Sequence, residues 1–366
     1  MRAAVLSHQF TDSANRRKLR ELASLGWSIT VAVPNGSAET DGALRIAPIP
    51  ASGPDDRPHA WRWRGRALRR LLTDTRPDLV HIEEEPGSPA ADAAVREARR
   101  LGIPAVLFSW ESRPRERSFL ERRRYRRTVA GAAGMIGGNR LAQALLARGA
   151  PGVPSLSLPQ FGVIPPTAVE RATDGSRLAV AYVGRLVPER GADRLLRACG
   201  QLMGPWSLVI AGTGPEQESL EELAERLGLA ARTRWLGAQS RQQVAALWAK
   251  TDCIVVPSRS TPTWIESWSP VLVEAMAHGV TPVVSAEGAL PEIVGDAGTV
   301  FQDDEELLVK LQELVMQPAR HRELGEAARR RVLDRFLDAS LARALDGFWR
   351  EVLARRAAGE STGART

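Results

Sequence analysis

Cysteine is scarce: Cys199 and Cys253 are the two in 366 residues. They stand far apart with no partner at metal-ligand spacing, which argues against a disulfide scaffold and a zinc site and fits a reducing cytosol. Apolar runs of the ~20 residues a membrane span needs are missing. So is the order of a secretory leader. Ala3-Ala-Val-Leu-Ser7 reads as a strand that begins almost at Met1, and a cytoplasmic location is the expectation. Aromatic residues make up 5% of the chain and do not interleave with its cations. With no recognition-helix, RNA-binding-sheet or zinc-finger signature beside the charge, no nucleic-acid partner is expected. The 43% hydrophobic content excludes a wholly disordered or collagen-like chain. The length exceeds what a single core supports, so two domains are expected.

The cations, almost all of them arginine, are unevenly placed. Residues 1–168 hold about 26 Lys and Arg against 16 Asp and Glu, and the remainder is slightly acidic. Two clusters stand out: Arg57, Arg62, Arg64, Arg66, Arg69 and Arg70, then eight arginines between Arg113 and Arg127. They read either as a solvated face or as a surface for an anionic membrane or an anionic acceptor, with peripheral contact at the inner membrane face.

Short apolar runs alternate with amphipathic stretches along the chain. Strands are predicted at 3–7, 28–34, 78–82, 105–109 and 135–137, then at 178–184, 207–211, 233–237, 253–257 and 281–285. Helical patterns lie between them, at 15–25, 66–72, 91–101, 217–227 and 242–249. Such alternation implies parallel sheets covered on both faces, hence an α/β protein with two doubly wound, Rossmann-like domains. Pro151 to Thr173 holds five prolines and little periodicity, and reads as the end of one sheet and a linker. The expected domains are 1–168 and 169–337. A helix at about 338–357 is expected to pack back on the first, with a flexible polar tail at 358–366.

Three stretches of the second half carry chemistry. Val183-Gly-Arg-Leu-Val-Pro-Glu-Arg-Gly191 places Gly184, Arg185 and Arg190 after a strand, where two guanidinium forks suit a phosphate. Ile210-Ala-Gly-Thr-Gly-Pro-Glu216 is a strand, a glycine turn at Gly212 and a helix start; tight turn and ligand contact are both open readings. After the strand at 253–257 comes a long irregular loop, the kind often functional in compact domains. Ser269-Pro270 then has the form of a helix cap, leading into Val271 and Leu272. Glu266 lies in the loop and Glu274 in the helix. On one continuous helix they would stand about 80° apart, so they are not a one-face pair. They read as two carboxylates flanking a helix N-terminus whose free amides would bind a diphosphate. Carboxylates there must face hydroxyls: Glu274 a ribose, Glu266 a transferred sugar.

From Val183 to about Gly298 the sequence resembles the nucleotide-sugar domain of glycosyltransferase family 4, retaining enzymes of the GT-B fold. The matching stretches are 183–191, 208–216, Trp235-Leu-Gly237, 251–258 and Glu266 through Ile293-Val-Gly-Asp-Ala-Gly298, with Glu266 and Glu274 forming the family's E-x7-E element. In the first half, Leu79-Val-His-Ile-Glu83 and Leu101-Gly-Ile-Pro104 fall where the acceptor domain has similar elements. The resemblance implies two domains facing each other across a cleft. It assigns Arg185 and Arg190 to the donor diphosphate, Glu274 to the nucleotide ribose and Glu266 to the donor sugar. It sets Ser269, Pro270, Val271 and Leu272 against the phosphates and Trp235, Leu236 and Gly237 near the base. The implied reaction is metal-independent, retaining transfer of a hexose from a nucleoside diphosphate sugar to a hydroxyl acceptor, with no cofactor.

The chain departs from the family pattern at several points. Arg190 replaces a lysine. Ser7 to Asn15, with Gln9, replaces a Gly-Gly loop. Trp110, followed by Glu111, stands where a histidine is common. Trp264 and Trp268 replace smaller or Phe-like residues near the donor. His81 and the run Glu83-Glu84-Glu85 end a first-domain strand and are expected on the acceptor side. Two alternatives stay open on sequence alone: a GT-B-fold nucleotide-sugar epimerase, and an inactive nucleotide-sugar-binding partner subunit.

Overall fold

A computed structural model describes residues 1–54, 56–57, 60–167, 169, 172–173 and 175–363, the side chains of 359–363 excepted. Its contacts divide the chain into two units, Met1–Gly162 with Asp338–Thr366, and Val163–Leu337. The division falls at 162/163, ahead of the expected 168/169, because a parallel bridge ties Val163 to Leu337 within the second unit. Residues 168, 170 and 171 of the expected linker lie outside the described residues.

The first unit contains β1 (Arg2–Leu6), α1 (Arg17–Ser24), β2 (Ser28–Pro34), β3 (Glu39–Asp41), β4 (Leu44–Ile49), β5 (Ala51–Ser52), β6 (Arg62–Trp63), α2 (Gly65–Thr75) and β7 (Leu79–Ile82). It continues with α3 (Pro89–Arg100), β8 (Ala105–Ser109), α4 (Phe119–Ala130), β9 (Gly134–Gly137), α5 (Arg140–Gly149) and β10 (Ser155–Ser157). The sheet order is β10-β9-β8-β7-β1-β2-β4-β3, parallel except for the β3–β4 pairing. Without β3 this is the doubly wound order, in which the winding reverses between β1 and β7. One sheet face packs on α2 and α3 through Leu68, Leu72, Ala91 and Val95. The other packs on α1 and the C-terminal helix Asp338–Gly363 through Leu19, Leu22, Leu345 and Trp349. That helix runs through most of the polar segment expected as a flexible tail; 364–366 lie outside the described residues.

Two residues expected on the acceptor side, His81 and Glu83, are buried inside the first unit. His81 does not reach a strand end. Side chains alternate along a strand, and register with Val5 turns His81 toward the C-terminal helix, where its ring meets Trp349 edge-on at 5.4 Å. It is 1% exposed and neither ring nitrogen has a hydrogen-bond partner among the described residues. Glu83 is equally enclosed, its carboxylate accepting from Lys18 Nζ at 2.8 Å. Both are structural.

Burial holds the His81 pKa at about 4, well below the ordinary imidazole value. The unfolded chain therefore takes up this proton first. The stabilising contribution is fully present above about pH 6.5 and is lost as pH falls toward 4, on the order of 3 kcal/mol. Urea unfolding at pH 7 and pH 4.5 is expected to show a smaller acid loss for His81→Leu than for the parent; equal losses would remove His81 from the account.

The second unit contains β11 (Leu178–Val183), α6 (Ala192–Cys199), β12 (Trp206–Ala211), α7 (Gln217–Arg226), β13 (Thr233–Gly237), α8 (Arg241–Trp248) and β14 (Cys253–Val256). α9 (Pro270–Ala277), β15 (Thr281–Ser285), α10 (Leu290–Val294), β16 (Thr299–Phe301), α11 (Asp304–Met316) and α12 (Pro318–Arg335) complete it. Six parallel strands run in the order β13-β12-β11-β14-β15-β16, again doubly wound, with the reversal between β11 and β14. Cys199 and Cys253 are free and buried in its core, and burial pushes the Cys199 thiol up to about 12. Among the described residues, no helix is long and apolar enough to cross a membrane.

Candidate functional site

In doubly wound sheets, ligands bind beyond the carboxyl ends of the strands where the winding reverses. In the second unit that point is flanked by the loop after β11 and the loop after β14, the two segments that carry Arg185, Arg190 and Glu266. The first loop is built tightly. Gly184 donates to Ala211 O at 2.9 Å, Gly212 donates to Gly237 O at 2.8 Å, and the Tyr182 hydroxyl donates to Arg185 O at 2.8 Å. Gly212 is required to be glycine: φ is 140°, and a Cβ would lie 1.9 Å from Gly184 O. The Arg185 side chain is exposed. A 3-10 turn, Pro188–Arg190, then brings Arg190 back over the sheet edge.

There Arg190 Nη1 donates to Glu266 Oε2, and its guanidinium lies over the Trp264 ring, 5.0 Å from the centroid. Ser258 Oγ donates to the same carboxylate oxygen at 3.0 Å. Ser258 is held in turn through its carbonyl, which accepts from Ser285 Oγ at 2.7 Å. Glu266 is 2% exposed. Burial raises its pKa; Arg190 and Ser258 act against the rise. The backbone is also fixed: Ala289 donates to Glu266 O at 2.7 Å, and a Cβ on Gly288 (φ 56°) would stand 2.1 Å from that oxygen.

Four residues on, α9 begins. Ser269 occupies the cap position, but its side chain caps nothing: Oγ is buried without a hydrogen-bond partner among the described residues. Pro270 fits the first turn because it has no amide to satisfy. The amides of Val271 and Leu272 precede the first intrahelical donor, Val273, whose N–H reaches Ser269 O at 3.2 Å, and so form a ready anion seat. Glu274 is half-buried on α9 and accepts from Trp248 Nε1 at 3.3 Å. Trp268 turns its ring to Phe336, edge-on at 5.5 Å. Trp235 and Leu236 are half-buried, their side chains against the two cores of the unit, and Gly237 ends β13. The structure thus joins Arg190 directly to Glu266, and sets α9, Gly184, Arg185 and Gly212 on the same carboxyl edge. Among the described residues, Glu274 makes no hydrogen bond or ion pair with either member of that pair. Ser258, Trp248 and Gly288 escaped the sequence reading. A serine closing an apolar strand was the visible signal for Ser258; the other two have meaning only once the strands are paired.

At the corresponding edge of the first unit the three consecutive glutamates separate. Glu83 pairs with Lys18. Glu84 accepts from His8 through both the amide, at 2.6 Å, and Nδ1, at 2.7 Å. Glu85 accepts from Ser109 Oγ at 2.6 Å and from the Trp110 amide at 2.8 Å, and burial raises its pKa. Trp110 donates its indole N–H to Gln160 Oε1 at 3.0 Å and lies so close to Gly138 that a Cβ there would stand 2.1 Å from the ring. Glu111 pairs with Arg117. Gln9 is exposed on the 3-10 turn after β1. No group of three His, Cys, Asp or Glu in metal-binding geometry occurs among the described residues.

Residues 13–159 match the family described as Glycosyl transferase 4-like domain, and residues 168–331 match Glycosyl transferases group 1. The chain is 37% identical over 139 residues to a D-inositol 3-phosphate glycosyltransferase of Mycobacteroides abscessus, covering 36% of this chain and 30% of that protein. It is 32% identical over 191 residues to a GDP-mannose-dependent alpha-(1-6)-phosphatidylinositol monomannoside mannosyltransferase of Mycolicibacterium smegmatis, covering 49% of this chain and 50% of that one. The chain therefore spans half or less of these relatives' lengths. The structure of HepE from Anabaena in complex with UDP superposes with a TM-score of 0.69 at 16% identity, over 96% of this chain and all of that one.

Proposed function

The chain belongs to glycosyltransferase family 4 and has its GT-B fold, and from that premise we propose that it transfers a hexose, with retention, from a nucleoside diphosphate sugar to a hydroxyl acceptor. One observation carries this reading: a buried carboxylate, Glu266, joined to Arg190 at the reversal point of the sheet, four residues before an uncapped helix N-terminus. In this reading the diphosphate lies on the α9 amides, Arg190 and Arg185. As the sugar–phosphate bond breaks, negative charge grows on the leaving diphosphate and these donors stabilise it where it forms. The arginines and helix amides do the work of a divalent cation. Glu266 faces the departing sugar, which becomes cation-like, and Glu274 holds the ribose. The acceptor attacks from the face the diphosphate leaves and its proton passes to the leaving phosphate, so no protein nucleophile is required. The named relatives are transferases, which gives the epimerase and inactive-subunit alternatives no support. The test is donor consumption with UDP- and GDP-hexoses, followed by the anomeric configuration of the product. Inversion, or epimerised donor in place of transfer, would refute the mechanism.

A peripheral contact with anionic membrane belongs to the same reading. α4 opens on Phe119 and Leu120, which are 76% and 74% exposed, within the segment that carries eight arginines. Insertion of two such side chains would contribute about 1.5–3 kcal/mol each, added to salt-sensitive attraction of the arginines. Sedimentation with phosphatidylglycerol vesicles is expected, with little on phosphatidylcholine, and at least a tenfold loss in Phe119→Ser/Leu120→Ser. Equal binding to both lipids would exclude the electrostatic part.

A further inference from the structure

The second unit carries 23 Asp and Glu against 19 Lys and Arg. Arg190, Arg194, Arg226, Arg259, Arg330 and Arg331 each pair with a carboxylate. Against that acidic balance, one cavity of about 460 Å³ is lined by charge of the other sign. Arg177, Arg232, Arg234 and Lys250 line it, and no acidic residue does so among the described residues. It lies at the amino edge of the sheet, over the first rungs of β11, β12 and β13, opposite the strand ends that lead to Arg190 and Glu266.

Small side chains make the hollow. Ala179 pairs with Ser207, and Val209 with Arg234, so alternation sets these four on the sheet face that α8 covers. One rung on, Ala181 and Val209 join Leu247 of α8 in the core. At the first rung Ala179 and Ser207 are too short to fill the space under the end of α8. Backbone hydrogen bonds fix the walls: Ala172 donates to Ala249 O at 2.7 Å, Leu178 to Pro205 O at 3.0 Å and Leu208 to Arg232 O at 2.8 Å. α8 turns its negative end to this wall, but its last carbonyls are taken. Leu247 O accepts from the Lys250 amide and from Thr251 Oγ1, each at 2.9 Å, and Trp248 O from the Thr251 amide at 3.2 Å. Asp252, the next acid in the chain, is 1% exposed, and its carboxylate accepts from the Ala179 amide at 3.0 Å.

The cations are available. Arg232 is held over the Trp206 ring, 5.0 Å from the centroid, and gives Nη1 to Gly204 O at 3.3 Å. Arg177, Arg234 and Lys250 are exposed and make no side-chain hydrogen bond or ion pair among the described residues. A concavity lined by one sign of charge focuses its field and concentrates ions of the other sign. Guanidinium forks select phosphate among those ions, and four cations are more than one phosphate can meet. Trp206 is 4% exposed beneath Arg232, so the lining offers no free ring to stack on a base.

We propose that this cavity binds a chain of phosphates, recognised by its charge alone, at a site separate from the donor seat. Such a chain comes as inorganic polyphosphate or as the tail of a nucleoside triphosphate, and the want of a stacking ring favours the inorganic one. The inference does not rest on the transferase reading.

Calorimetric titration of the full chain with sodium tripolyphosphate in about 0.15 M salt, where exposed charges are largely screened beyond ~8 Å, tests it. One site per chain is expected, with orthophosphate at least tenfold weaker. Arg234→Gln/Lys250→Gln is expected to weaken tripolyphosphate tenfold or more and to leave the melting temperature of the free chain in place, since both side chains are exposed. Arg190→Gln, on the opposite edge, is expected to leave the affinity unchanged. Arg241→Gln/Arg320→Gln removes the same charge from the unit outside the cavity and is expected to cost less than threefold. ATP binding weaker than tripolyphosphate would support the inorganic chain, and ATP binding as tight, with the same loss in Arg234→Gln/Lys250→Gln, would support the site with a nucleotide as the source. Absence of tripolyphosphate binding, an equal loss in the Arg241/Arg320 pair, or a loss confined to Arg190→Gln would overturn the proposal.

Discussion

Glu266→Gln is expected to lower sugar transfer by ~10²–10³, the usual cost of removing one preorganised electrostatic partner of a transition state, with UDP or GDP affinity unchanged. The amide keeps the volume of the carboxylate and can still accept from Ser258 and Arg190, so the local fold has little reason to change. What is lost is the negative charge beside the sugar as it becomes cation-like. A loss confined to kcat would place the interaction in the transition state, whereas a raised KM with kcat preserved would reduce Glu266 to ground-state binding. The reciprocal substitution bears on the same pair. Arg190→Lys restores the residue common in the family, but an ammonium offers no planar fork to Glu266 and stacks less well on Trp264. Partial activity is expected, with a weakened hold on the diphosphate. Full loss in both variants with intact nucleotide binding would make the ion pair itself the functional unit.

The architecture was legible because parallel strands buried on both faces announce themselves. The runs at 28–34, 105–109, 233–237 and 281–285 are strands with those bounds. β4 was not read, because Arg45 and Pro48 interrupt its apolar pattern, and β5, β6 and β10 are too short to show a period. The loops that carry the proposed donor-side residues were legible for a different reason: phosphate chemistry selects Arg, Gly and helix caps at strand ends, and these are local in sequence. The acceptor side was not. Glu83, Glu84 and Glu85 are adjacent in sequence, yet strand alternation and three different partners, Lys18, His8 and Ser109, send them to three environments. No local pattern marks which glutamate lies beneath Lys18, 65 residues away.

That buried pair supports the largest expected effect on stability. Lys18 and Glu83 side chains are 2% and 0% exposed, and Lys18 Nζ also donates to Gln160 O at 2.6 Å. Taking both charges out of water costs several kcal/mol per ion, and their mutual attraction offsets this only while both are present. Lys18→Met keeps the aliphatic stem and deletes the ammonium. It leaves the Glu83 carboxylate enclosed, with Oε2 already unpartnered among the described residues, and the Gln160 carbonyl without its Lys18 donor. The loss expected is about 3–5 kcal/mol, seen as a thermal midpoint lower by about 10 °C for a unit of this size. Lys18→Met/Glu83→Leu removes both charges together and is expected to recover most of that loss, since an apolar pair of similar volume carries no desolvation cost. If the double variant were as unstable as the single one, the damage would lie in packing or in the Gln160 contact, and the uncompensated charge would not be its cause.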